Sequence, residues 1–249
     1  MLSLIPISDV NPSRRTPYVT IGLLVGNAVA FFTTPGLGQT DSSQRYFFEH
    51  APEPCQLLDR CREAISQAGL QGDLPHRSLS AFLLAILFSM FLQAGWLHIL
   101  GNMLFLWVFG NNVEDHLGHV KYLLFYLVGG FAAAFAHILT NLNSFAPTVG
   151  ASGAVAAIMG AYLVLYPRAR VNVIVPIFFI FTVTQLSALI VLAFWFISQF
   201  FIGAQEVGTG GGIAWMAHVG GFAFGVIGIF LLGGRPHPPA YHNPYPSWR

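Results

Sequence analysis

The sequence predicts an all-α polytopic membrane protein, a bundle of six transmembrane helices with a long extracytoplasmic first loop. Composition is the first reason: hydrophobic residues make up 55% of the 249 and charged residues 8%, where a soluble domain carries about a quarter charged residues. The mean hydropathy of +0.63 is the second. A soluble fold of this length has too little interior to hide so much apolar surface, so the bilayer is the expected solvent. The third is that the apolar residues fall into separate runs near the ~20-residue length that spans a hydrocarbon core.

Residues 1–16 form a polar segment, expected to be cytoplasmic, with Arg14 and Arg15 just ahead of the first apolar run, Pro17 to Thr34. Basic residues before such a run also fit a signal peptide, with Ala28-Val29-Ala30 as its cleavage site. A retained first span fits better, because everything downstream is membrane too. Residues 35 to 78 are hydrophilic and hold Asp41, Glu49, Glu53, Asp59, Glu63 and Asp73. Within them Leu57, Leu58, Cys61, Ala64 and Ile65 recur at helical spacing and predict a short surface helix. Cys55 and Cys61 lack the second Cys or His pair of a zinc site; outside the cytoplasm they can pair as a disulfide, and otherwise they are two free thiols.

From Leu79 to Phe109 the chain is almost wholly apolar, too long for one span. Gln93-Ala94-Gly95 divides it into an interfacial or re-entrant helix, Leu79 to Leu92, and a second span from Trp96 to about Asn111. Further spans are expected at Tyr122 to Leu139, Gly150 to Tyr166, Phe181 to Ile202 and Ile213 to Leu232, with Val171 to Ile180 interfacial. The membrane domain is thus residues 17–233, with 35–95 as the extracytoplasmic loop. Residues 234–249 read as a Pro-rich, disordered cytoplasmic tail.

Arg14, Arg15, Lys121, Arg168, Arg170, Arg235 and Arg249 all fall on the side of the N-terminus, which makes that side cytoplasmic. The second, fourth and sixth spans then run inward. With a net charge of +1 and no basic stripe, nothing points to nucleic acid.

Polar side chains inside a membrane are costly, so they locate function. His98 and Asn102 open the second span, Ser152 opens the fourth, and His218 lies near the start of the sixth. All four therefore sit at one depth, near the outer face. Ser152, Ala156 and Gly160 on the fourth span, and Ala217, Gly221 and Gly225 on the sixth, form small-residue seams at four-residue spacing. Such seams let helices approach closely, and if they face one another Ser152 meets His218.

A serine hydroxyl needs an adjacent base to become a nucleophile, and an imidazole can take its proton and return it to a leaving amine. The oxyanion formed on a peptide carbonyl would be met by His98, Asn102 and the first-turn N–H groups at Ser152. Gly150 and Gly153 leave room for close backbone approach. No Asp or Glu occurs between Asp115 and Glu206, which predicts a Ser–His dyad and excludes an aspartyl protease. There is no H-E-x-x-H zinc motif either, so no metal is expected. A lone Ser152 would read as a packing serine. A lone His218, or His98 with Asn102, would read as interhelical contacts. His116, His119 and His137 have no partner pattern and read as structural or solvated, and Trp96, Trp195 and Trp215 as interfacial aromatics.

Gly150-Ala151-Ser152-Gly153-Ala154, His98-x-x-x-Asn102-Met103 and Ala217-His218-x-x-Gly221-x-x-x-Gly225 together resemble the signatures of rhomboid intramembrane proteases. Asn11-Pro12-x-Arg14-Arg15, Gly95-Trp96-Leu97-His98 and Gly160-Ala161-Tyr162 resemble bacterial members in particular. The resemblance implies a Ser152–His218 dyad, an oxyanion site of the kind just assembled, no cofactor, and cleavage of transmembrane-protein substrates in or near their membrane segments. Lipid and water are the other partners. The fifth span would be a lateral gate for the substrate, and the glycine-rich segment Gly203 to Gly212 either a lid or a plain connector. The chain departs from the pattern in three places. Ala156 stands where some members stack an aromatic ring on the catalytic histidine, Gln93 stands where some carry a further histidine, and a Trp-Arg pair of the first loop is absent. The competing readings are a catalytically inactive rhomboid-fold binder of membrane segments and a small transporter. A polar path that stops in the outer third of the bilayer argues against the transporter.

Overall fold

The computed structural model describes residues 4–69, 74, 76–177, 180–206 and 214–236. Among these are nine helices: α1 (Tyr18–Thr33), α2 (Asp41–His50), α3 (Cys61–Gln67), α4 (Leu79–Ser89), α5 (Trp96–Leu117), α6 (His119–Thr140), α7 (Ser152–Leu165), α8 (Ala188–Glu206) and α9 (Trp215–Leu231). The helix α6 is long and apolar enough to cross a membrane by length and composition; α1, α4, α7 and α9 are shorter apolar helices. Residues 203–206 of the glycine-rich connector continue α8. Its remainder, 207–212, and the tail from residue 237 lie outside the described residues.

The expectation of an all-α chain needs correction. Strands β1 (Ile5–Asp9), β2 (Arg170–Ile177) and β3 (Ile180–Ser187) form an antiparallel sheet in the order β1-β2-β3. The reason lies in the side chains. Val171 and Val173 are buried while Arg170 is exposed and Asn172 partly so, the alternation of a half-buried strand. Phe181-Thr182-Val183-Thr184 is β-branched and aromatic, which favours a pleated surface. The expected fifth span therefore begins too early: Phe181 to Ser187 is strand, and the helix starts at Ala188. Pro176 sits beyond Ile174, the last β2 residue paired with β1, so its missing N–H breaks no ladder on that side.

The N-terminal segment is likewise structured. Asp9 accepts from Tyr162 of α7 (2.6 Å) and Asn112 of α5 (2.8 Å). Burial pushes its carboxyl up to about 6 against the pull of those hydrogen bonds. The α5 helix runs past Asn111, the expected end of the second span, to Leu117 and carries Glu114. Glu114 is buried and accepts from the N–H groups of Val19 (2.9 Å) and Thr20 (2.8 Å). It thereby caps α1, whose own N-cap, Pro17, supplies no side-chain acceptor. His119, expected to be structural or solvated, bonds the same carboxylate at 2.6 Å.

At the centre stands α7, in which every residue but Ser152 and Leu163 is buried, the mark of a helix apolar all round. It meets α9 through small residues. A Cβ at Gly221 would run into the carbonyl of Gly153, one at Gly225 into that of Ala157, and one at Gly160 into that of Phe222. The α9 side of the seam thus uses the expected glycines. The α7 side is Gly153, Ala157 and Gly160: Gly160 is as expected, while the other two positions are one residue beyond the expected Ser152 and Ala156.

Candidate active site

Ser152 is the first residue of α7 and His218 lies in the first turn of α9. The glycine seam sets these helices close, and at their shared end His218 Nε2 lies 2.8 Å from Ser152 Oγ. No side chain caps α7, so its first-turn N–H groups remain beside the serine.

Gly150 precedes the helix with φ +132°, a conformation open to glycine and strained for other residues. Space demands glycine there as well. A Cβ at residue 150 would lie 2.9 Å from His98 Nε2 and 3.4 Å from Ser152 Oγ. One point in the cleft is thus within reach of both atoms. The N–H of Gly150 is spent on the carbonyl of Ser89 (2.9 Å), which removes it from the donors near the serine.

The tautomer of His98 follows from its other nitrogen. Nδ1 receives the N–H of Ala94 at 3.1 Å, so a neutral ring carries its proton on Nε2 and presents a donor to the cleft. Asn102 lies one turn further along α5 and is buried. Its Nδ2 donates to Gln93 Oε1 (2.8 Å), Gln93 donates to Asn27 Oδ1 (2.8 Å), and Asn27 donates to the carbonyl of Leu23 (2.9 Å). The backbone carbonyl at the end of this relay sets the direction of every amide in it. Gln93, noted above as part of a polar break and as a departure from a histidine, is the residue that holds Asn102.

His98, Asn102, Ser152 and His218 line one cavity of about 1330 Å³, which His137 and Asn141 also line. Residues 144–149 form part of its wall. That wall is held from behind, since Cys55 N–H donates to the carbonyl of Ser144 (2.9 Å) and Thr148 N–H to that of Pro52 (2.9 Å). Cys55 is disulfide-bonded to Cys61, closing the alternative left open between a bridge and free thiols. Between the two contacts, Glu53 is fully buried, and burial raises its carboxyl to about 7 against the pull of Arg77, 3.9 Å away.

Two residues of α8 complete the surroundings of His218. Trp195, read from the sequence as an interfacial aromatic, packs on His218 with ring centroids 5.8 Å apart. It supplies the aromatic contact that Ala156 cannot. Gln199, which sequence reasoning missed, is buried and sets Oε1 2.7 Å from His218 Nδ1. Its signal was present: a polar amide four residues after a tryptophan, inside a run whose other polar residue is the adjacent Ser198.

A rhomboid domain model matches residues 81–235. A presenilin-associated rhomboid-like protein A of Danio rerio, described as mitochondrial, is 27% identical over 146 residues, 57% of this chain and 36% of that protein. RHOMBOID-like protein 4 of Arabidopsis thaliana is 31% identical over 148 residues, 59% of this chain and 33% of that protein. The matched part thus spans about a third of these relatives. With a family model covering more than half its length, this chain is a membrane protein of the rhomboid family.

Proposed function

We propose that the chain is an intramembrane serine endopeptidase that cuts membrane proteins in or near their transmembrane segments. The observation that carries this reading is the 2.8 Å contact between Ser152 Oγ and His218 Nε2 inside a cleft that also holds the His98 donor. In the proposed reaction His218 takes the serine proton as Oγ attacks the peptide carbonyl. The resulting oxyanion is met by Nε2–H of His98, the Asn102 amide and the first-turn N–H groups of α7. His218 then gives its proton to the leaving amine, and an acyl-enzyme remains. Water, deprotonated by the same imidazole, releases the second product and restores Ser152.

In this reading α1, α5, α6, α7, α8 and α9 are the six spans, with the termini cytoplasmic and the Ser152 end near the extracytoplasmic face of the cell's inner membrane. The disulfide supports that side for the first loop, since such bonds persist in oxidising compartments. The substrate must offer extended backbone, because a hydrogen-bonded helix hides its carbonyls. Segments that unwind easily are therefore the expected class, entering past α8.

Labelling with a serine-reactive fluorophosphonate, together with cleavage of a model transmembrane substrate, tests the reading. Ser152→Ala and His218→Ala should each lose labelling and lower cleavage at least about a hundredfold. Equal labelling of wild type and Ser152→Ala would end it. An intact substrate with wild-type protein would favour the inactive binder.

A further inference from the structure

The amide of Gln199 has one accepting end, Oε1, and one donating end, Nε2. Nε2 lies 3.1 Å from the carbonyl of Trp195 and 3.2 Å from Ser198 Oγ. The Ser198 hydroxyl already donates to that same carbonyl at 2.6 Å. A carbonyl oxygen only accepts, so the NH₂ group must face it, and Oε1 must face the imidazole, 2.7 Å from Nδ1. An acceptor at that distance calls for a proton on Nδ1. A neutral ring then has a bare Nε2, and that is the atom 2.8 Å from Ser152 Oγ. Trp195, one turn earlier on the same face of α8, lies against the ring at an interplanar angle of 42° and hinders its rotation.

We propose that Gln199 is the positioning residue of this site: its side-chain oxygen keeps the proton of His218 on Nδ1 and so keeps Nε2 free to receive the proton of Ser152. The two histidines are then opposite tautomers, His98 donating and His218 accepting into the same cleft. Gln199 touches neither nucleophile nor substrate. It does the orienting work that a carboxylate does in a three-residue serine site, without placing a charge in the bilayer. The consequence for catalysis rests on the protease reading; the orientation itself does not.

The test takes full-length protein in lipid bilayers with ¹⁵N-labelled histidine, and assigns His218 by difference from His218→Ala. The wild type should show Nδ1 protonated and Nε2 bare. Gln199→Met, similar in volume but without the acceptor, should shift the ring to a mixture of tautomers, while Gln199→Glu, which keeps an acceptor, should retain the Nδ1–H form. With a transmembrane substrate, Gln199→Met should lower kcat at least about tenfold while KM moves less than about twofold. An Nε2-protonated His218 in the wild type, or unchanged tautomer and kcat in Gln199→Met, would overturn the proposal. A wild-type protein with the expected tautomer that cuts nothing would sink the protease reading and leave the orientation standing.

Discussion

Two neighbours grip α9 in different ways. Against α7 it packs backbone to backbone, with Gly221 and Gly225 set over the carbonyls of Gly153 and Ala157, and Gly160 over that of Phe222. Against α8 it packs through side chains: Trp195 on His218, Phe196 on Phe222 and Gln199 on His218. The α7 helix is buried almost throughout. Over residues 188–201 the α8 helix buries a stripe, Ala188, Val191, Leu192 and Gln199, and exposes Leu189, Ile190, Phe194, Ile197, Phe200 and Phe201. A backbone seam has no rotamers to yield, whereas a side-chain contact can part and re-form. Ser152 and His218 therefore share the rigid pair, and Gln199, which contacts His218, sits on the helix that is easier to move.

The seam is the place to break this contrast with the largest effect. Gly225→Val puts a side chain where the Ala157 carbonyl already stands, and Gly221→Val does so at the Gly153 carbonyl next to the nucleophile. The helices must separate, at a cost of about 3 kcal/mol. The unfolding midpoint in detergent should fall steeply for both variants. Either one as stable as the wild type would mean that the seam is open and the contrast with α8 false.

The far end of α7 gives a smaller, pH-dependent effect. Asp9 bonds Tyr162, ten residues along α7 from Ser152 and so about 15 Å away. Its carboxyl is raised from 3.8 to about 6. The folded chain thus keeps a proton that the unfolded chain has already lost. Asp9 accordingly favours folding below about pH 4, and this contribution is lost as pH rises through about 6. The loss is at most about 3 kcal/mol. Asp9→Asn should remove this slope, so that variant and wild type diverge between pH 4 and pH 7 in the variant's favour. Parallel curves would mean that the carboxylate is not held in a desolvated place. Glu53, raised to about 7, contributes with the same sign from the disulfide loop.

Helix-forming apolar runs were legible in the sequence because burial in lipid leaves the backbone few options. The spacing of His98 and Asn102, and of Gly221 and Gly225, placed those residues on single faces before any coordinates. The sheet was not legible. Residues 171–187 are as apolar as a span, and hydropathy does not distinguish a strand from a helix there; the β-branched alternation of Val171, Val173, Val175 and then Thr182, Val183, Thr184 did carry the information. The roles of Gln93 and Gln199, though not their polarity, were hidden for another reason. A neutral amide has no charge to stand out, and its role depends on which end faces which partner, a property of three dimensions alone. Asp9 was hidden by distance: its partners Asn112 and Tyr162 lie 103 and 153 residues away.

The mildest substitution separates the two packing modes most directly. Phe196 of α8 lies against Phe222 of α9 with ring centroids 4.7 Å apart, and an aromatic pair of this kind is worth about 1 kcal/mol beyond the area it buries. Phe196→Ala leaves Ser152, His218, Trp195 and Gln199 untouched. If α8 is the moving wall, loosening it at this point should cost little stability yet make entry of a transmembrane substrate easier. The expected result is an unfolding midpoint close to wild type together with cleavage about fivefold faster, since removing about 1 kcal/mol from an opening step raises its population by about that factor. The rise should appear for a membrane-embedded substrate and vanish for a short water-soluble peptide, which does not need α8 to part. A variant that slowed both substrates equally would indicate that Phe196 holds the base in place, and that α8 belongs with the rigid pair.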